Sequence, residues 1–473
     1  MTTVFNQYIT CMIPFAYREK TKKQLYRVLK NNNYTFFSLK DRSLEQAYYG
    51  DVVVSHEELD QHFLPYIENR LFPKQEDENS FLRYSKQVNE RATLSIREQT
   101  YGFELLSTDI VLCPFQLGFV TLRLKMEEPH TLHESADFMH HFRILEPKLP
   151  HEKGMTLTST QGRYDSVSDY TFEELCPFLE TYLNHDMVRD GYFGSLPYFE
   201  DERMLMSTYV ELSAQPSTRE MYALSQLDGL DTNGEAYVSA ENESYMEQYL
   251  QKRTLERFAP KATVICTEHV FLSTMFPEAD KPLRHLALER FMSIDYYQLL
   301  LHYFYKLTLL KLSYEHSEVN TLHDQDFIEH LIRQIDQFSA SFYFQEISSR
   351  SSGIEMGNKL QTIFKVNPLY EEVKATLESL YRTQENTSAK RQDGLLFMLT
   401  IFTVLSGIYG MNLIIDDWKG KYDWSKIAKY SLLEWISLIT AVGGIAITLV
   451  VVGIYVVNKI RAFLRKQKRK RYE

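Results

Sequence analysis

The sequence predicts an α/β cytosolic domain followed by a long helical stalk and a C-terminal two-helix transmembrane hairpin. Three observations predict this order: strand-like alternation early in the chain, a long stretch without proline, and two uncharged segments near the end. At 473 residues the chain exceeds what one hydrophobic core usually supports. We predict an α/β domain over 1–280, a helical stalk region over 281–393, the hairpin over 394–458 with an outer loop at 413–434, and a basic cytosolic tail over 459–473.

Composition excludes several classes of function. The formal net charge is −11 and the basic excess lies in the tail, so we expect no nucleic-acid partner. The four cysteines are far apart in the sequence, which is typical of buried thiols in a reducing compartment and gives no zinc or redox motif. The chain contains no Walker A loop, GxGxxG motif or nucleophile elbow, so we predict no enzyme.

Alternation of apolar and polar residues predicts most of the strands. The segment Thr108–Met126 is typical of a hairpin that turns near Pro114–Gly118. A further strand is predicted over Leu205–Ala214, and Pro260–Thr274 predicts the last strand. These strands precede a part of the chain with only helical patterns, which indicates an α/β domain followed by helices.

Helical patterns begin at about His133 and then continue over Pro282–Ser313 and Asp324–Ser348. In the second of these helices, three polar side chains recur every four residues and form a stripe, which indicates a packed soluble helix: Gln298, His302 and Lys306. The histidines near the first helix lack the ligand spacing of a zinc site, so we interpret them as a solvated helix surface: His130, His133, His140, His141 and His151.

Two segments near the C-terminus predict membrane spans. Gly394–Ile415 and Trp435–Val457 contain no charged residue, and each is long enough for ~30 Å of hydrocarbon. Lysine and arginine are concentrated before the first segment and after the second. We therefore expect a multi-pass protein of a bacterial plasma membrane with both termini in the cytoplasm.

The first predicted span continues a long helix. No proline occurs from Leu369 through Asn412, and such a helix would be roughly 65 Å long. Uncharged polar residues such as Gln392 precede the apolar part. They are interpreted either as a solvated surface or as the lining of a wet pore, which Leu396, Thr400 and Thr403 would continue.

The helix ends in Gly410-Met411-Asn412, and this tripeptide has two interpretations. Glycine and asparagine commonly stop helices. Alternatively, if several helices surround one axis, their C-terminal carbonyls and the Asn412 carboxamides would form a ring of neutral oxygens. Such a ring suits hydrated Mg²⁺, which loses water reluctantly. Gly410 would allow the backbone to turn near the axis.

These features together resemble the CorA-type magnesium channels, the two-transmembrane GxN family. The resemblance depends on "YGMN" at Tyr409–Asn412, two C-terminal spans, a short outer loop and the basic tail. It covers the chain from the stalk helix onward. Before that helix the resemblance is one of general architecture only.

The resemblance implies a homopentamer with an axial pore lined by the first span. It implies that Gly410, Met411 and Asn412 are the selectivity motif, with Asn412 as the selectivity ring. The implied pore-facing positions are Thr403, Thr400, Leu396, Gln392 and Asn386.

One departure from the family leaves the ion open. The outer loop lacks the Met-Pro-Glu of many members, although Asp416 and Asp417 lie there and would attract cations. We expect a divalent-cation channel for Mg²⁺ uptake, driven by the membrane potential. The alternatives are a Zn²⁺, Co²⁺ or Ni²⁺ transporter on the same scaffold and a non-conducting membrane-anchored sensor. The expected partners are further copies of the chain, the lipid bilayer and divalent cations, with no cofactor other than the transported ion, which could also regulate the channel.

Overall fold

The computed structural model describes residues 2–410 except 19–20, 128, 148, 150–151, 185–202 and 318–324, together with scattered positions between 431 and 450. The chain divides into two compact units. The first comprises Met1–Tyr314 and Gln334–Val373, and the second comprises Glu315–Arg333 and Lys374–Glu473.

The first unit contains a large mixed sheet, whose twelve strands in the described residues are β1 (Thr3–Ala16), β2 (Thr35–Phe36), β3 (Leu82–Ile96), β4 (Gln99–Leu112), β5 (Leu117–Met126), β6 (His130–Thr131), β7 (Met155–Thr158), β8 (Arg163–Tyr164), β9 (Leu205–Leu212), β10 (Thr254–Leu255), β11 (Ala262–Cys266) and β12 (Val270–Met275). Their order is β10-β11-β12-β9-β1-β5-β4-β3-β7-β8, with β2 beside β3 and β6 beside β1. The pair of β12 and β9 is parallel, and the other pairs are antiparallel.

Helices lie between the strands along the sequence, and of the elements that the structure describes only helices follow the last strand. In the described residues the α-helices are α1 (Lys22–Asn31), α2 (His56–His62), α3 (Pro65–Leu71), α4 (Leu132–Phe142), α5 (Val167–Asp169), α6 (Thr218–Gln226), α7 (Glu243–Arg253), α8 (Lys281–Arg290), α9 (Tyr296–Ser317), α10 (Gln325–Ser341), α11 (Ser351–Ile363) and α12 (Val366–Gly410). A π-helical segment, Phe291–Asp295, joins α8 to α9.

The predicted hairpin is confirmed, because β4 ends at Leu112 and β5 begins at Leu117. Phe115 and Gln116 form its turn with φ angles of 60° and 57°. The strand predicted from Leu205 is also confirmed as β9. The single strand predicted over Pro260–Thr274 is wrong: the Thr267 hydroxyl accepts a hydrogen bond from the Val270 N–H at 3.0 Å, and this turn separates β11 from β12.

Both faces of the central strands are buried, so these strands are apolar along most of their length. On one face, Ile9 and Leu122 belong to the same buried core as Phe138 and Phe142 of α4. The helix α4 begins at Leu132, close to the predicted start at His133. Its first turn is fixed by a capping box between Thr131 and Glu134.

The helix predicted over Pro282–Ser313 is interrupted by the π-helical segment. Its polar stripe lies in the interior, with Gln298 and His302 fully buried. The helix predicted over Asp324–Ser348 ends early, at Ser341 of α10. The chain after Ser341 makes a tertiary contact in place of a further helical turn, because the Ile347 carbonyl accepts a hydrogen bond from the Leu64 N–H at 3.0 Å. The separate helix α11 was not predicted.

The predicted transmembrane hairpin is wrong, and with it the predicted fold class and the assignment to a bacterial plasma membrane as a multi-pass protein. Across the part of the chain that the structure describes, no helix is both long and apolar enough to cross a bilayer. The uncharged part of α12 runs from Gly394 to Gly410, about 25 Å at 1.5 Å per residue, which is shorter than ~30 Å of hydrocarbon. Most of the second predicted span, Trp435–Val457, lies outside the described residues.

Candidate functional site

The predicted site lies at the carboxyl end of α12, the long helix Val366–Gly410 of 45 residues. The helix begins at Val366. Asn367 lies in the first turn, where its side-chain oxygen accepts a hydrogen bond from the Tyr343 hydroxyl at 2.6 Å. Farther along, Val373 and Leu380 are each 1% exposed, so the first half of the helix has a packed face.

The second half of α12 differs, because its described apolar side chains are largely exposed. No charged residue occurs after Asp393 up to the end of the helix at Gly410. The exposed apolar surface of α12 consists of Leu395, Leu396, Phe397, Leu399 and Phe402, which are 51–68% exposed. A contiguous apolar surface of this kind is typical of an association surface.

The structure places four of the predicted pore-facing residues on α12 at helical spacing: Gln392, Leu396, Thr400 and Thr403. The Thr400 hydroxyl donates a hydrogen bond to the Leu396 carbonyl, and the Thr403 hydroxyl donates to the Leu399 carbonyl, both at 2.8 Å. Their hydroxyl hydrogens are therefore used within the helix, and their oxygens can still accept hydrogen bonds. The side chain of Asn386 lies outside the described residues.

Gly410 is the last residue of α12, so the final carbonyls of the helix carry the partial negative charge of a helix C-terminus. The remaining predicted site residues lie outside the described residues: Met411, Asn412, Asp416 and Asp417.

We interpreted the histidines near α4 as a solvated helix surface, but two of them are buried. His133 and His141 are 8% and 7% exposed. Burial, with help from the neighbouring His141, lowers the pKa of His140 to about 3. His130 contacts the Gln7 side-chain oxygen at 2.6 Å. His151 lies outside the described residues. Among the residues that are described, no group of three or more histidine, cysteine, aspartate or glutamate side chains could hold a metal ion.

Sequence reasoning missed a buried charge cluster on the second face of the sheet: Arg83 of β3, Asp109 of β4 and Arg123 of β5. Arg83 donates to one Asp109 oxygen through Nη2 and approaches the other through Nε, each at 3.2 Å. Arg123 donates to Asp109 through Nη1. All three side chains are at most 3% exposed.

Tyrosines surround this cluster and connect it to α9. The Arg83 Nη1 donates to the Tyr49 hydroxyl at 3.0 Å and to the Tyr297 hydroxyl at 2.7 Å. The Arg123 guanidinium lies 4.7 Å from the centre of the Tyr296 ring. These contacts give the buried cations oxygen and aromatic partners and hold α9 against the sheet.

The electrostatics of Asp109 follow from two opposed effects. Burial by itself would raise the pKa of Asp109, but Arg123 and Arg83 hold that pKa below its usual value. The cluster is therefore ionised and carries more positive than negative charge. The signal in the sequence was one charged residue in an otherwise uncharged stretch of each of three strands, 82–85, 105–112 and 117–124.

No family model matches the chain, and no curated protein and no solved structure matches it either. The functional interpretation therefore depends on the geometry of the chain and on the pattern of its sequence.

Proposed function

We propose that this chain is a subunit of a homo-oligomeric divalent-cation transport protein, a homopentamer with Mg²⁺ as its preferred ion. The observation that carries the proposal is the carboxyl half of α12. It is uncharged from Gly394 to Gly410, exposes large apolar side chains, and ends two residues before Asn412.

The exposed apolar surface of α12 supports self-association. Leu395, Leu396 and Leu399 are 68%, 61% and 63% exposed in the single chain. Each leucine that becomes covered by a neighbouring copy contributes about 1.5–3 kcal/mol of apolar burial. The exposed apolar surface of α12 covers more than one side of the helix. This favours contacts with two neighbouring copies of the chain over a dimer.

Helix ends around one axis would suit a divalent cation. Each copy contributes the negative end of its α12 dipole near Gly410 and a neutral carboxamide oxygen from Asn412. Mg²⁺ retains much of its hydration shell, and neutral oxygens accept hydrogen bonds from that water without holding the ion tightly. The Gln392, Thr400 and Thr403 oxygens would continue a polar path along the same helix.

The test is uptake of isotopically labelled Mg²⁺ by cells that produce the full-length chain. We expect uptake above that of cells without the chain, and we expect Asn412→Ala to abolish the increase. Asn358→Ala is the matched control, because Asn358 is an exposed asparagine on α11. Native mass spectrometry of the purified proteins should give the same oligomer for all three.

Competition between metals identifies the ion. If Zn²⁺, Co²⁺ or Ni²⁺ enters faster than Mg²⁺, the choice of Mg²⁺ is wrong while the transport proposal stands. Absence of uptake of all four metals by wild-type cells that contain the folded oligomer would favour the non-conducting sensor. Full uptake by Asn412→Ala would contradict the proposed role of Asn412.

A further inference from the structure

A cavity in the first unit lies between β11, β12, α8 and α11. The space inside it that a water-sized molecule can occupy is about 60 Å³, and the cavity is open to solvent at its mouth. Its lining is mainly apolar and includes Leu255, Phe258, Val264, Met275, Leu286 and Met356.

The register of two strands forms the floor of this cavity. Val264 lies opposite Ser273, and Ala262 lies opposite Met275, so these four side chains share one face of the sheet. The helix α8 forms a wall, and it is held at its start by Asp280, whose carboxylate accepts a hydrogen bond from the Leu283 N–H at 3.2 Å. At the mouth, Phe258 and Leu286 are 43% and 41% exposed.

The charged side chains of the wall form two pairs of opposite sign. Arg290 approaches Asp295 at 3.5 Å, and Arg257 approaches Glu355 at 3.4 Å. Asp295 belongs to the π-helical segment, and such segments occur frequently at functional sites. Burial raises the pKa of Asp295, although Arg290 opposes this effect. The wall therefore offers an apolar surface, a few polar oxygens and no net charge.

We infer that this cavity binds a small, uncharged and mainly apolar molecule that carries one hydrogen-bonding group, with the Ser273 hydroxyl and the Asp295 carboxylate as the polar contacts. The apolar part gains free energy by leaving water in contact with Val264, Met275 and Met356. A charged ligand would lose its hydration and meet no excess of opposite charge, because the arginines and the acids of the wall are paired. The lining of the cavity shares no residue with the carboxyl end of α12, and the inference does not depend on the proposed transport function.

The test is isothermal titration of the full-length protein with hexanol, hexylamine and hexanoate, which share one chain length and differ in the charge of the polar end. We expect hexanol to bind more tightly than either charged analogue. Ala287→Phe places a ring in the cavity and should weaken hexanol binding by about tenfold or more. The matched control is His285→Phe, an exposed position of α8 that does not line the cavity, and it should bind hexanol like the wild type.

A second variant covers the case in which Ala287→Phe does not fold. Leu286→Asn changes an exposed position at the mouth and should also weaken hexanol binding. Three results would overturn the inference: no hexanol binding by the wild type, equal hexanol binding by a folded Ala287→Phe variant, and tighter binding of hexylamine or hexanoate than of hexanol.

Discussion

The Arg83 guanidinium donates a hydrogen bond to the Asp109 carboxylate at 3.2 Å, and both side chains lie inside the sheet unit. Because Arg83 also donates to Tyr297 of α9, one arginine connects two strands to the helix that covers them. This connection makes the cluster of Arg83, Asp109 and Arg123 important for the stability of the first unit. Unfolding of variants tests this directly.

Replacing Asp109 by asparagine should destabilise the fold strongly. The change leaves the Arg83 and Arg123 guanidinium groups buried without their carboxylate, and loss of one partner from a buried ion pair costs about 3–5 kcal/mol. Urea unfolding, followed by circular dichroism, measures this loss. The matched control is Glu329→Gln, which breaks the exposed pair of Glu329 and Arg333 and should cost no more than about 0.5 kcal/mol. Equal losses in the two variants would contradict the prediction.

Stability should decrease as the pH falls below about 6.5, in part because of His302. Burial lowers the pKa of His302 to about 4, although its hydrogen bond to the Gln298 carbonyl opposes this effect. In the unfolded chain a histidine takes up a proton below about pH 6.5, whereas His302 stays neutral in the folded protein until about pH 4. The unfolded state therefore binds more protons in this window, and the loss at about pH 5 is about 2 kcal/mol.

Urea unfolding at about pH 7 and about pH 5 measures the contribution of His302. Between these two pH values, the free energy of unfolding of His302→Gln should fall by about 2 kcal/mol less than that of the wild type. His62→Gln should behave similarly, because burial and, to a smaller extent, Arg290 lower the pKa of His62 to about 4. An unchanged pH dependence in both variants would show that these histidines do not contribute.

The first turn of α4 should depend on its capping box. The Thr131 hydroxyl accepts a hydrogen bond from the Glu134 N–H at 3.2 Å, and the Glu134 carboxylate accepts from the Thr131 N–H at 2.7 Å. Thr131→Ala removes the first bond and should cost about 1 kcal/mol in the free energy of urea unfolding. Thr131→Ser keeps a hydroxyl and should stay within about 0.5 kcal/mol of the wild type. A loss in Thr131→Ser as large as that in Thr131→Ala would argue against the capping role.

Gly229 should not tolerate a side chain, whereas Gly394 should. A Cβ atom on Gly229 would collide with the backbone of Asp137, whose carboxylate also accepts a hydrogen bond from the Leu230 N–H at 3.2 Å. Gly229→Ala should therefore lower the melting temperature, with a cost of about 1–3 kcal/mol. Gly394→Ala meets no atom within 4 Å on α12 and should not destabilise, because alanine favours helix over glycine. The opposite ranking would contradict the packing at Gly229.

The exposed apolar surface of α12 should hold copies of the chain together. Leu399→Asn replaces a side chain that is 63% exposed in the single chain and should weaken the proposed oligomer by about tenfold or more in its dissociation constant. Light scattering during size-exclusion chromatography over a range of concentrations measures this change. Leu149→Asn is the control, because Leu149 is 49% exposed and lies far from α12 in the sequence. Unchanged association of Leu399→Asn would remove this surface from the interface.

Local patterns predicted the elements whose causes are local. The β4–β5 hairpin follows from alternating strands around a short turn, and α12 follows from a long stretch without proline, as observed. The end of α10 was not predictable in this way. Its sequence remains compatible with a helix beyond Ser341, but the Ile347 carbonyl pairs with Leu64, and the Ser348 hydroxyl donates to the His62 carbonyl at 2.6 Å. The membrane spans were predicted from charge-free length, and the charge-free part of α12 that the structure describes, from Gly394 to Gly410, is too short for one.

The sequence by itself predicted that strands belong to the N-terminal part of the chain and that a run of helices follows them, as β1–β12 and α8–α12 do. It also predicted Gly410-Met411-Asn412 as a motif at the end of the long helix. Only the tertiary structure decided which polar residues meet in the interior. Ser85 lies opposite Asp109, and Asp109 lies opposite Thr121, so the register places Arg83 and Arg123 diagonally beside the same carboxylate. Residues so far apart along the chain come together only when the strands pair, because hydrogen bonds between strands set their register and periodicity within one strand does not.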